Sequence, residues 1–125
     1  MEKFNGITEG PLSISRNDDE ETLVLSFTGK SILRDPTELL QPNLFLVLDE
    51  VEETGKTLVL DFTELSYMNS STFTPLVKTL EKARRGTCRV RVLYDESQKW
   101  QSVSFAALTI FNTTDGRVQV EGKKA

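Results

Sequence analysis

Apolar and polar residues follow one another in blocks along the chain, and the period of the pattern changes from block to block. Ile7 to Ser15 places Ile7, Leu12 and Ile14 around Gly10-Pro11 and predicts a first, irregular strand. Beyond the polar turn Asn17-Asp18-Asp19-Glu20, the run Thr22-Leu23-Val24-Leu25-Ser26-Phe27-Thr28-Gly29 predicts a strand buried on most of its length and closed by Gly29. The short spacing between these two strands suggests an antiparallel pair. Lys56 to Phe62 (KTLVLDF) is the clearest buried strand, apolar and flanked by turn residues. Cys88 to Tyr94 (CRVRVLY) alternates as a strand does, and Arg117 to Glu121 supplies a short last one, with Gly122 to Ala125 expected as a frayed tail.

Three segments between the strands carry helical spacing. Asp35-Pro36-Thr37-Glu38 has the form of a helix start, with Asp as cap and Pro at the first helical position. Pro42 obstructs a smooth continuation, which moves the expected start of the regular helix to Pro42-Asn43. From there Leu44, Leu48 and Val51, with Phe45 and Val47, form an apolar face, Glu50, Glu52 and Glu53 take the wet side, and Gly55 ends the helix. Phe73, Leu76, Val77, Leu80 and Ala83 mark a second helix. Its last turn is basic, Pro75 falls in its first turn and Gly86 stops it. Asp95-Glu96-Ser97 serve as turn and cap for a third helix, whose stripe is Trp100, Val103, Ala107, Leu108 and Phe111.

The order β-β-α-β-α-β-α-β predicts an α/β domain with a central mixed sheet of about five strands and helices packed against it. A length of 125 residues suits one such domain spanning the whole chain. In these sheets function gathers where strand C-termini meet helix N-termini, which here is the junction after Phe62.

Composition removes several kinds of chemistry. The chain has no histidine, so imidazole-based catalysis, imidazole metal sites, a His-based pH switch and histidine phosphorelay are all excluded. Cys88 is the only cysteine, which rules out an internal disulfide or thiolate cluster and reads as a small buried hydrophobe. A net charge of -4 argues against nucleic acid and anionic membranes as partners. Met1 to Gly6 lacks the apolar core of a signal peptide, and the longest apolar run, Leu44 to Leu48, is far too short to span a membrane, so the expected location is the cytoplasm.

The apparent motifs have plain explanations. Gly55-Lys56-Thr57 resembles the end of a phosphate-binding loop, but position 50 is Glu and a strand follows where a helix is required. Asp49, Glu50, Glu52 and Glu53 read as a solvated helix face and not as a metal site. No nucleophile is brought to Asp61 and Glu64, and no motif supports an active site, a metal or a cofactor.

One junction carries more information. Four small polar residues, Asn69-Ser70-Ser71-Thr72, stand before the second helix. Capping its free N–H groups needs only one of them. A phosphate on one of these hydroxyls would add about -1.5 to -2 charges beside the positive end of the helix. The segment Leu58 to Leu80, LVLDFTELSYMNSSTFTPLVKTL, resembles the centre of the STAS domain, the family of anti-sigma factor antagonists. There a strand of the L-V-L-D-L type leads to D-S-S/T-G at a helix start, and the element order matches over nearly the whole chain. Asn69 replaces that acid and Thr72 that glycine. The N-[ST]-S form is similar to a branch of kinase- and phosphatase-controlled regulators, some acting on cyclic-di-GMP synthesis or biofilm formation.

The resemblance implies a non-catalytic phospho-switch modified on Ser70, with Ser71 as second choice. It implies partner contacts through Asn69, Ser70, Ser71, Thr72, Thr74, Pro75 and Lys78, with Phe73 and Val77 equally suited to contact or core. The implied partners are a GHKL-type serine kinase that doubles as an anti-sigma factor, a PP2C-type phosphatase, and a downstream regulator such as a diguanylate cyclase. The default oligomeric state is a monomer. The alternative is a constitutive scaffold or nucleotide-sensing STAS domain in which Ser70 merely caps the helix.

Overall fold

A computed structural model describes residues 3–124. Strands β1 (Gly6–Glu9), β2 (Leu12–Asp18) and β3 (Thr22–Ser31) form an antiparallel meander. Helix α1 (Pro36–Thr54) leads to β4 (Thr57–Asp61) and β5 (Leu65–Met68). A 3-10 turn (Ser70–Thr72) then runs into α2 (Phe73–Arg85), followed by β6 (Arg89–Asp95). Helix α3 (Lys99–Ala106), extended by a 3-10 turn (Ala107–Phe111), precedes β7 (Val118–Lys123). The sheet order is β1-β2-β3-β4-β6-β7, with β3, β4, β6 and β7 mutually parallel. The three crossovers step across the sheet in the same direction, and a shared right hand lays their helices on one face. Residues that point to that face (Leu23, Leu25, Phe27, Leu58, Leu60, Val90, Val92, Val118 and Val120) are buried. Their neighbours on the opposite face, such as Val24, Ser26, Arg91 and Gln119, are partly exposed.

The sheet has seven strands where about five were expected. Gly10-Pro11 makes a tight turn, so the irregular first strand becomes the hairpin β1–β2 with Glu9 opposite Leu12. The second addition arises because β3 does not close at Gly29. Gly29 has φ +83°, and a Cβ there would lie 2.0 Å from the Pro11 carbonyl oxygen, so only glycine fits this irregularity. The strand continues through Lys30 and Ser31, and that free edge pairs with β5, aligning Lys30 with Tyr67 and Ser31 with Met68. At the other end of the chain, β7 runs to Lys123, so Gly122 and Lys123 of the expected frayed tail belong to the ladder, while Ala125 lies outside the described residues.

Helix α1 starts at Pro36, with the Asp35 carboxylate accepting from Glu38 N–H, and passes straight through Pro42. Leu40 and Leu44 flank Pro42 and are both buried, so core packing carries the helix across the missing N–H. Glu50 is not on the wet side as its neighbours suggested. It is buried against Arg16 of β2, which binds its carboxylate through both terminal nitrogens and also reaches Asp18 at 2.7 Å and the Phe4 carbonyl at 2.9 Å. In α3 and its 3-10 extension the buried positions are Gln101, Phe105 and Leu108, while Val103 is 69% exposed. A core glutamine escapes any reading based on apolar spacing. Its amide donates to the carbonyls of Phe62 (2.7 Å) and Leu65 (2.8 Å) and accepts from Asp95 N–H (2.8 Å). Cys88 is buried as expected, and burial pushes its thiol pKa up. Among the described residues, no helix is long and apolar enough to cross a membrane.

Arg16 neutralises a buried carboxylate, so Arg16→Ala should cost about 3–5 kcal/mol in urea unfolding at pH 7. Replacing both partners, as Arg16→Met with Glu50→Leu, should restore most of that loss. The guanidinium also holds the Asp18 carboxyl below its ordinary 3.8. That contribution is present above this value and lost as pH falls through the lower folded-state one. The gap between wild type and Arg16→Ala should therefore narrow on acidification from pH 7 to about pH 3; a constant gap would count against the ion pair.

Candidate functional site

The extra length of β3 positions the polar junction. Ser31 is buried at the strand's end, and its carbonyl accepts the Asn69 N–H at 3.0 Å, extending the β3–β5 ladder by one rung. Asn69 is then in extended conformation (φ -71°, ψ 160°) as the cap of the 3-10 turn. Its side-chain oxygen accepts from Thr72 N–H (3.2 Å), from the Thr72 hydroxyl (2.5 Å) and from the Ser71 hydroxyl (3.3 Å). Its side-chain NH₂ donates back to the Leu33 carbonyl at 3.1 Å. A carboxylate has no proton for that last bond, so an acid at position 69 could not make it.

Thr72 is 2% exposed, and its side chain is bonded within the junction. Its hydroxyl proton goes to Asn69, so the Ser31 hydroxyl, 2.7 Å away, donates to Thr72. The result is a one-way chain of hydrogen bonds from Ser31 through Thr72 to Asn69, which fixes the junction against the sheet. Pro75 is buried in the first turn of α2, and its carbonyl accepts the Thr79 hydroxyl at 2.7 Å.

Ser70 stands apart from this network. It is exposed, and no hydrogen bond engages its hydroxyl among the described residues. It opens the 3-10 turn, where the first N–H groups lack intrahelical partners. Neither that turn nor the first turn of α2 carries an acidic residue. Of the residues expected to contact a partner, Ser70, Ser71, Thr74 and Lys78 are exposed and Asn69 is half-buried. Thr72 and Pro75 are buried, and their part is to hold the junction in place. Phe73 and Val77 are half-buried, and the Phe73 ring meets Phe105 of α3 at 5.7 Å. Ser31 and Leu33 escaped the sequence reading: they lie far upstream, and the strand reading stopped at Gly29.

The other candidate groups are engaged in turns. Asp61 accepts from the Thr63 N–H and hydroxyl, and Gly55 is the left-handed cap of α1, leaving Lys56 to approach Asp18 at 3.5 Å. Among the described residues, no three acidic or cysteine side chains gather as a metal site would require.

No protein-family model matches the sequence, and no curated protein is similar enough to count as a relative. Solved structures do share its shape. One chain in the crystal structure of the diguanylate cyclase SiaD in complex with its activator SiaC, from Pseudomonas aeruginosa, matches with a TM-score of 0.55 and 20% identity. The match covers 94% of this chain and 98% of that one, and at this identity it shows a common fold alone. A DUF3478-family protein with a SpoIIAA-like fold from Shewanella loihica PV-4 aligns at a TM-score of 0.47 and 17% identity, over 93% and 91% of the two chains.

Ser70→Ala should leave the unfolding free energy from urea titration within about 0.5 kcal/mol of wild type, since an exposed, unbonded hydroxyl is removed. Thr72→Val should cost about 2 kcal/mol, because the buried Ser31 hydroxyl loses its acceptor. The Ser31→Ala/Thr72→Val double variant should lose less than the two singles together; strict additivity would contradict the hydroxyl chain.

Proposed function

We propose that this chain is a non-catalytic, STAS-like regulatory module switched by reversible phosphorylation of Ser70. The observation that carries the reading is the contrast within the junction. Asn69, Ser71 and Thr72 are bonded to one another, while Ser70 presents a free hydroxyl at the start of a helix. A kinase reaches such a hydroxyl without unfolding the protein, and the phosphate then meets free N–H groups and the positive helix end. The same contrast favours Ser70 over Ser71, whose hydroxyl already donates to Asn69.

In this reading the unphosphorylated protein docks on a GHKL-type serine kinase through Ser70, Ser71, Thr74 and Lys78. Phosphate breaks or redirects that contact by charge and size, and a PP2C-type phosphatase resets it. The similar structure contains an activator bound to a diguanylate cyclase, which supports a cyclase as one downstream partner. A second reading rests on an open concavity of about 420 Å³ lined by Asp61, Thr63, Leu93, Asp95, Lys123 and Lys124 at the C-terminal ends of β4, β6 and β7. A ligand-sensing domain would use this region of a parallel sheet. Saturable nucleotide binding in calorimetry would favour it, and flat titrations favour the switch.

Phosphate incorporation by the partner kinase should be complete in wild type and Ser71→Ala and absent in Ser70→Ala. Ser70→Asp should weaken kinase binding by about tenfold or more, equivalent to at least ~1.4 kcal/mol. Equal labelling of wild type and Ser70→Ala would overturn the assignment.

A further inference from the structure

Helix α3 and its 3-10 extension are apolar on two sides. Phe105 and Leu108 face the core, yet Val103 and Ile110 are 69% and 70% exposed, and Ala106 and Ala107 between them are exposed as well. Positions 103, 106, 107 and 110 share one side of the helical segment. From Trp100 to Thr114 no side chain is charged, although charged residues make up 27% of the chain. A surface helix ordinarily shows a polar outer face; an outer face as apolar as this one is ordinarily covered.

The neighbouring surface carries the opposite character. A groove of about 320 Å³ beside Phe111 is bounded by Glu81, Arg84 and Arg85 of α2. The groove thus carries two arginines against one glutamate, on a chain of net charge -4. An apolar strip with two alanines at its centre admits the close approach of another helix, and its basic border selects an acidic flank.

We infer that the outer face of α3, with the α2 border, is a docking surface for an amphipathic helix of a partner protein. That helix is apolar on one side and acidic along its edge. A second copy of this chain fits poorly, since two-fold contact would bring basic borders together. An anionic membrane fits poorly as well, given the acidic balance of the rest of the chain. The surface is separate from the Ser70 hydroxyl, so its occupancy does not depend on the phosphorylation reading.

The test uses the full chain with two synthetic helical peptides of identical leucine face, one bordered by glutamate and the other by lysine. Trp100, the only tryptophan, is half-buried in α3 and reports binding by its fluorescence, while amide shifts locate the contact. The glutamate peptide should bind at least about tenfold more tightly than the lysine peptide. Its shifts should centre on Val103 to Ile110, and binding should weaken as salt rises from about 0.05 to 0.5 M. Val103→Asp/Ile110→Asp and Arg84→Glu/Arg85→Glu should each weaken binding by about tenfold or more. The substituted side chains are exposed, and unchanged circular dichroism checks that the variants fold. Several outcomes would overturn the proposal: equal affinity for both peptides, no binding of the glutamate peptide, or shifts centred elsewhere. So would concentration-dependent dimers abolished by Val103→Asp/Ile110→Asp, or flotation with phosphatidylglycerol vesicles lost in that variant.

Discussion

The carboxamide of Asn69 is held from both directions, and the place of Ser70 follows from that constraint. Its oxygen gathers the Thr72 N–H and the hydroxyls of Ser71 and Thr72, while its NH₂ group is tied to the Leu33 carbonyl. Its own N–H continues the strand ladder onto Ser31. One residue therefore belongs to the sheet by its backbone, to the helix by its oxygen and to the preceding loop by its nitrogen. The chain immediately after it has little freedom, and Ser70 emerges at a defined point with its hydroxyl unbonded.

The rest of the fold supports this junction from below. The glycine-only irregularity at Gly29 lets β3 run on to Ser31, which gives β5 an edge to pair with. Gln101 ties the β4–β5 connection to the end of β6 through three backbone groups. Phe105 joins the aromatic rings of Phe62, Tyr94, Trp100 and Phe73, linking the sheet's C-terminal edge to the first residue of α2. On the far side, the buried Arg16–Glu50 pair fixes α1 against the meander. A charge added at Ser70 thus acts on a rigid frame, and its effect falls on what the surface presents to a partner.

Much of this was legible in the sequence because it depends on local patterns. Buried runs such as Leu58–Leu60 and the helix stops at Gly55 and Gly86 read directly from residue type and spacing. What stayed hidden depends on distant partners. Nothing near Glu50 signals that Arg16 lies against it, and nothing near Thr72 points to Ser31. The split of the first strand and the existence of β5 follow from pairing between segments, which periodicity does not encode. The third helix misled the reading for a related reason. A glutamine took a core position through backbone bonds, while two aliphatic residues on the same segment stayed outside. Buried Thr72 and Pro75 make a similar point about the site, since membership of a polar cluster does not fix which members reach solvent.

The exposed Ser70 hydroxyl is the group on which the proposed switch would act. The acidic balance of the whole protein makes a further anion at a helix N-terminus a substantial local change, and one that helix termini accommodate. The most direct measurement is intact-mass and fragmentation spectrometry of the protein isolated from its native host, with and without phosphatase treatment. A phosphatase-sensitive form heavier by one phosphoryl group, localised to Ser70, is the expected result. A phosphoryl group found only elsewhere on the chain, or none under any growth condition, would contradict the switch.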